Sequence, residues 1–234
     1  MGLLTNFVFY DLTLLVLFTI FIAIFLYKNR KKVEREGILY LYKTSVGLKL
    51  MDRLANKFKK PLHIISYLVV GVGYILMAGV IYYLIVSIYQ YVRYADQFTS
   101  IVGNAPPIAL FIPYFPQIFG WESVFSSFPF IYFIIVIGIV AIVHEGAHGI
   151  FARLYDIRIK STGFGFLGPI LAFFVEQDDK QMTEKKIFPQ LTVLAAGVFA
   201  NILTAIIFLL LTIFFFNLVY APLGVNIISL VIVQ

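Results

Sequence analysis

Four apolar runs are long enough to cross a bilayer: Phe7 to Tyr27, Ile64 to Tyr91, Pro129 to Ile150 and Leu191 to Tyr220. A hydrocarbon core of about 30 Å takes about 20 apolar residues as a helix. With no water there, each backbone amide must be satisfied inside its own segment. The chain is therefore expected to be an all-α membrane protein of about four transmembrane helices. The 61% hydrophobic and 13% charged fractions agree, since a soluble domain carries roughly twice that charge. The first run has neither a basic start nor a small-residue cleavage site, so it reads as a retained anchor rather than a signal peptide.

Charge then orients the spans. Eleven of the eighteen Lys and Arg lie between Lys28 and Lys60, and six more between Arg153 and Lys186. Basic loops stay on the cytoplasmic side, which predicts the N-terminus outside and segments 28–60 and 151–190 inside. The net charge of +6 is thus a juxtamembrane feature facing anionic lipid, with no nucleic-acid partner implied. Within 28–60 the spacing of Ile38, Leu41, Tyr42, Leu48, Leu50, Met51 and Leu54 predicts one or two short amphipathic helices on the membrane surface. Asp11, the sole charge of the first run, is expected to be an interfacial residue near the outer end, the alternative being a proton-handling group.

Two segments fit no span. Ile101 to Phe128 is apolar, yet Pro106, Pro107, Pro113 and Pro116 prevent a helix. It is expected to form a hydrophobic outer loop, either a lid or a membrane-resting loop. Gly163 to Val175 is too short and glycine-rich to span and predicts a membrane-associated β-hairpin. The hairpin's edge would either take an extended substrate or plug the cytoplasmic mouth. The chain then divides into 1–63, an N-terminal helix and basic loop; 64–128, a second helix and the Pro-rich loop; and 129–220, core helices with the hairpin. Residues 221–234, with the strand-like run Val225 to Val233, are expected to begin a further downstream domain, so that the chain is part of something longer.

Chemistry concentrates at His144-Glu145-Gly146-Ala147-His148, near the cytoplasmic end of the third run. Residues four apart share a helix face, so both imidazoles can hold one Zn²⁺, with Glu145 beside them as general base. Ionisable side chains are costly inside a span, which favours a functional role over a pair of helix-end histidines at the interface. The chain has no cysteine, so a thiolate zinc site and a cysteine nucleophile are excluded. Two other polar residues bear on this site. His63 is a conceivable ligand but is expected at the interface. Asn201 lies among small residues recurring at helical spacing (Ala196, Gly197, Ala200, Thr204 and Ala205). It could bind substrate backbone, a zinc-bound species or another helix.

Taken together, His144-Glu145-Gly146-Ala147-His148-Gly149, Gly163-Phe164-Gly165 and Ala195-Ala196-Gly197-Val198-Phe199-Ala200-Asn201 resemble the site-2 protease family of intramembrane zinc metalloproteases. The extra helices before the motif look like one branch of that family. The resemblance implies Zn²⁺ on His144 and His148, Glu145 as general base, and single-pass transmembrane proteins as substrates, cleaved within the bilayer. Val198 stands where the family pattern has proline. The family's third ligand, an aspartate of an Asp-Gly pair, has no counterpart in these 234 residues. It is expected in a downstream half, failing which Glu176, Asp178, Asp179 or Asn201 would have to serve. Branch members often carry a PDZ-like domain, which Val225 to Val233 would begin.

Two rivals remain in view. One is a membrane-anchored protease with an aqueous site and Glu176 as third ligand. The other is a catalytically inactive scaffold binding transmembrane segments. A metzincin site is disfavoured because its third histidine would fall at Leu154. A transporter is weaker still, with no internal repeat.

Overall fold

The computed structural model describes residues 2–94, 129–167 and 170–220, with side chains from residue 7 onward. The expected loop 101–128, the Gly168-Pro169 turn and the expected start of a downstream domain at 221–234 lie outside the described residues. Among those described, four helices are long and apolar enough to span: α1 (Gly2–Lys28), α3 (Lys59–Arg93), α4 (Phe130–Leu154) and α6 (Ile187–Val219). Much of their apolar surface is uncovered, Ile75, Leu218 and Tyr82 each being more than 70% exposed. Such continuous exposed apolar faces require lipid around them. The protein is an integral membrane protein of the expected fold class.

Helix ends follow local chemistry. Pro129 is the N-cap of α4, and Pro189 falls in the first turn of α6, where its missing N–H costs nothing. At the other end of α4, Ile157 N–H donates to Ala152 C=O (2.9 Å) and Asp156 N–H to Arg153 C=O (3.1 Å). Asp156 there takes the left-handed conformation, φ 55°. This is a Schellman cap with aspartate in the usual glycine position. It buries Ile157 against Ala152 and turns the chain directly into the sheet.

The basic segment 28–60 departs from expectation. Only α2 (Leu48–Lys57) is an amphipathic helix; the residues before it form strands β1 (Val33–Glu36) and β2 (Leu39–Thr44). Glu36 pairs with Leu39, leaving Gly37 and Ile38 as a two-residue turn with Gly37 at φ 61°. That glycine-first turn favours a hairpin, and the alternation within Leu39–Thr44 suits a strand better than a helix face. The expected hairpin is present as β3 (Ile159–Leu167) and β4 (Ile170–Gln177), but it is half of a larger unit. β2 pairs antiparallel with β3, giving one four-stranded sheet in the order β1-β2-β3-β4. Lys43 Nζ joins Glu34 (2.8 Å) and Glu176 (3.2 Å) across it.

The sheet's β4 edge and α2 both pack on α4, which in turn packs on α6. Below the motif, Val69, Phe151, Ala152, Ile157, Val193 and Ala196 form a fully covered core joining α3, α4 and α6. At the other end of α4, Asp11 of α1 is buried and accepts from the backbone N–H groups of Phe130 (2.6 Å) and Ile131 (2.9 Å). It therefore satisfies two free donors at a helix start from a neighbouring helix. The expected plain interfacial aspartate is instead a buried link between two spans. The strands that follow these two helices, β2 and β3, pair with each other, so from this shared contact α1 and α4 run parallel.

Candidate metal centre

His144 and His148 lie on one face of α4, four residues apart, and face Gly197 and Asn201, also four apart, on α6. His144 meets Asn201, and His148 meets Val193 and Gly197, so the two helices run antiparallel. The ring nitrogens Nε2 of the two histidines approach to 3.2 Å. Two ligands each about 2.05 Å from a tetrahedral ion stand about 3.3 Å apart. The spacing therefore suits a shared zinc ion.

Two further observations support that fit. A Cβ placed on Gly197 would fall 2.5 Å from His144 Nε2 and collide with His148 Nε2 as well. Glycine at 197 thus keeps the space beside both nitrogens open. Second, His148 Nδ1 lies 2.6 Å from the carbonyl of Val193. A carbonyl only accepts, so Nδ1 carries the proton and the Nε2 lone pair is free to bind a metal. The residues present fit the ion that the motif implies.

Glu145, the residue after His144, points toward the sheet. Its carboxylate accepts from the backbone N–H of Val175 on β4 at 3.2 Å. It also borders an apolar cavity of about 600 Å³ enclosed by α2, α4, β3 and β4, with Leu50, Ile142, Phe164 and Phe173 among its walls. The two motif glycines have different surroundings. Gly149 is closed off by Met51 of α2, whereas Gly146 opens onto the cavity.

The other candidate ligands are held elsewhere. Glu176 accepts from Ser161 Oγ (2.6 Å) and pairs with Lys43. Asp178 caps α5 (Asp179–Glu184), accepting from Gln181 N–H, and Asp179 lies in the first turn of that helix. His63 packs edge-on against Tyr155 with ring centroids 5.3 Å apart. Among the described residues, no third His, Asp or Glu joins the histidine pair in a metal-binding cluster. Asn201 does reach the pair, through His144 Nδ1.

Residues 132–231, which include this helix pair, match peptidase family M50, the site-2 protease family. The match is a likeness of this segment to that family and covers less than half of the chain. The M50 match takes in both α4 and α6, the two helices that form the histidine site. An uncharacterized protein of Methanocaldococcus jannaschii is 30% identical over 196 residues, covering 81% of this chain and 48% of that protein. The chain thus spans about half the length of this curated relative. No solved structure matches it.

Three parts of the histidine site carried no usable sequence signal. The Val193 carbonyl and the Val175 amide are backbone groups, so residue identity says nothing of them. Gly197 reads from sequence as helix packing alone; its approach to the ring nitrogens depends on the register between α4 and α6.

Proposed function

We propose that this chain carries the catalytic face of an intramembrane zinc metalloprotease, acting on peptide bonds in membrane-spanning segments of other proteins. The observation that carries the reading is the 3.2 Å approach of the two Nε2 atoms across from Gly197, within an M50 segment. His144 and His148 would hold the ion. When bound, zinc supplies a Lewis acid that activates water near neutral pH and polarises a carbonyl. Glu145 accepts the proton of the attacking water and returns it to the leaving amine, and the Val175 amide orients its carboxylate meanwhile. The apolar cavity beside Glu145 is suited to the side chains of a hydrophobic segment. The β4 edge lies against the same carboxylate, so a locally unwound substrate added there as a strand would bring its carbonyls to the site. Local unwinding is needed because the carbonyls of an intact helix are already hydrogen-bonded. The basic loops 28–60 and 151–190 favour the cytosol as the source of water.

The test is cleavage of a single-pass transmembrane reporter by the protein in liposomes. Glu145→Gln is expected to keep zinc and to cut more slowly by roughly 100- to 10,000-fold. Undiminished cleavage by a zinc-loaded Glu145→Gln protein would overturn the assignment. Stoichiometric capture of the reporter without zinc or cleavage would favour the scaffold reading.

A further inference from the structure

Asn201 is not one of the family ligands, yet it is the α6 side chain in hydrogen-bonding reach of His144. Its Nδ2 lies 3.0 Å from His144 Nδ1, while its Oδ1 is buried and has no hydrogen-bond partner among the described residues. A half-turn of the planar amide exchanges its two ends and places Oδ1 on Nδ1, where it accepts the ring N–H. The amide nitrogen then takes the position Oδ1 held, so the choice between the two orientations rests on what the His144 ring must do rather than on a count of paired atoms.

We propose that Asn201 is a positioning residue for His144, its amide oxygen holding the imidazole in the tautomer whose Nε2 lone pair faces the ion. The role parallels one already visible on the other histidine. Val193, eight residues earlier on α6, supplies a carbonyl to His148 Nδ1. One helix would thereby set both rings, by a main-chain acceptor at one and a side-chain acceptor at the other. If Nδ2 instead donated to Nδ1, the ring proton would sit on Nε2 and block the lone pair that must bind. Only the oxygen-facing orientation is compatible with a ligand role for His144.

The proposal rests on the zinc reading above, and its test separates the two. Zinc affinity of the purified chain is measured by chelator competition for wild type, Asn201→Leu and Asn201→Asp. Leucine keeps the volume and removes the acceptor; aspartate keeps an acceptor and cannot donate. The expected result is a roughly 10- to 100-fold loss for Asn201→Leu, with Asn201→Asp close to wild type. A second readout needs no variant. With only three histidines in the chain, ¹⁵N-imidazole spectra of the zinc-loaded protein should report His144 protonated at Nδ1. Asn201→Leu binding as tightly as wild type, Asn201→Asp binding as weakly as Asn201→Leu, or a His144 proton on Nε2 would each overturn the role of Asn201 while leaving the zinc site standing. A wild-type chain that takes up no zinc would overturn both.

Discussion

A single hydrogen atom in place of a methyl group decides whether the two imidazoles have room for an ion. Because a Cβ at 197 would sit on both ring nitrogens, Gly197→Ala is expected to cut zinc affinity by on the order of 100-fold or more, as chelator competition would measure. Next to Val175 on β4, Glu176 gives a second residue-level expectation. Its carboxyl is held below the ordinary 4.5, first by the Ser161 hydroxyl and then by Lys43, against an opposing effect of partial burial. A lowered folded value stabilises above 4.5 and is lost as pH falls through it. Lys43 is held above 10.5 by its hydrogen bonds to Glu34 and Glu176, so its contribution is full below 10.5 and fades as pH rises through the raised value. The apparent Tm of wild type should exceed that of Glu176→Gln at neutral pH, and the gap should close in acid below about 4.5. A gap that persists there would show that Glu176 acts through packing alone.

Among the elements, spans were far more legible than what joins them. Twenty apolar residues announce a helix whatever surrounds them, and all four appear within a few residues of the expected bounds. The histidine pair was equally plain, since a spacing of four fixes one helix face without tertiary information. Strands β1 and β2 were obscured because five of the fifteen residues from Lys28 to Tyr42 are basic, which suggests a surface helix. The strand character of β2 rests on pairing with β3, over a hundred residues away, and β1 pairs in turn with β2. Asp11 was hidden for the same reason: its partners are backbone groups of another helix. Truncation of this buried cap in Asp11→Ala is expected to destabilise the fold by about 1–2 kcal/mol, with Asp11→Asn intermediate. Thermal unfolding in detergent would measure both. An Asp11→Ala protein as stable as wild type would mean that the Phe130 and Ile131 amides are satisfied without it.

For the whole molecule, helix parity turns local charge into a test of orientation. α1 and α4 run parallel while α6 runs antiparallel to α4, so the basic segment 28–60 and residues 155–186 emerge at one end. The natural chain has no cysteine, so single cysteines can be placed without background. Cysteines replacing Lys31 and Lys180 are expected to react with a membrane-impermeant maleimide only from the cytosolic side, and one replacing Tyr94 only from the opposite side. Labelling of Lys31→Cys and Lys180→Cys from different sides would contradict the sheet that ties their segments together.

The helix bearing His144 and His148 is gripped twice by residues that precede it in the chain. Asp11 holds its first amides, while β2 grips β3 just past its last turn and Met51 of α2 fills the notch at Gly149. The opening sixty residues thus work as a clamp with a jaw at each end of the histidine helix. Loss of residues 1–58 would slacken both jaws at once and is expected to loosen the histidine helix without touching either imidazole.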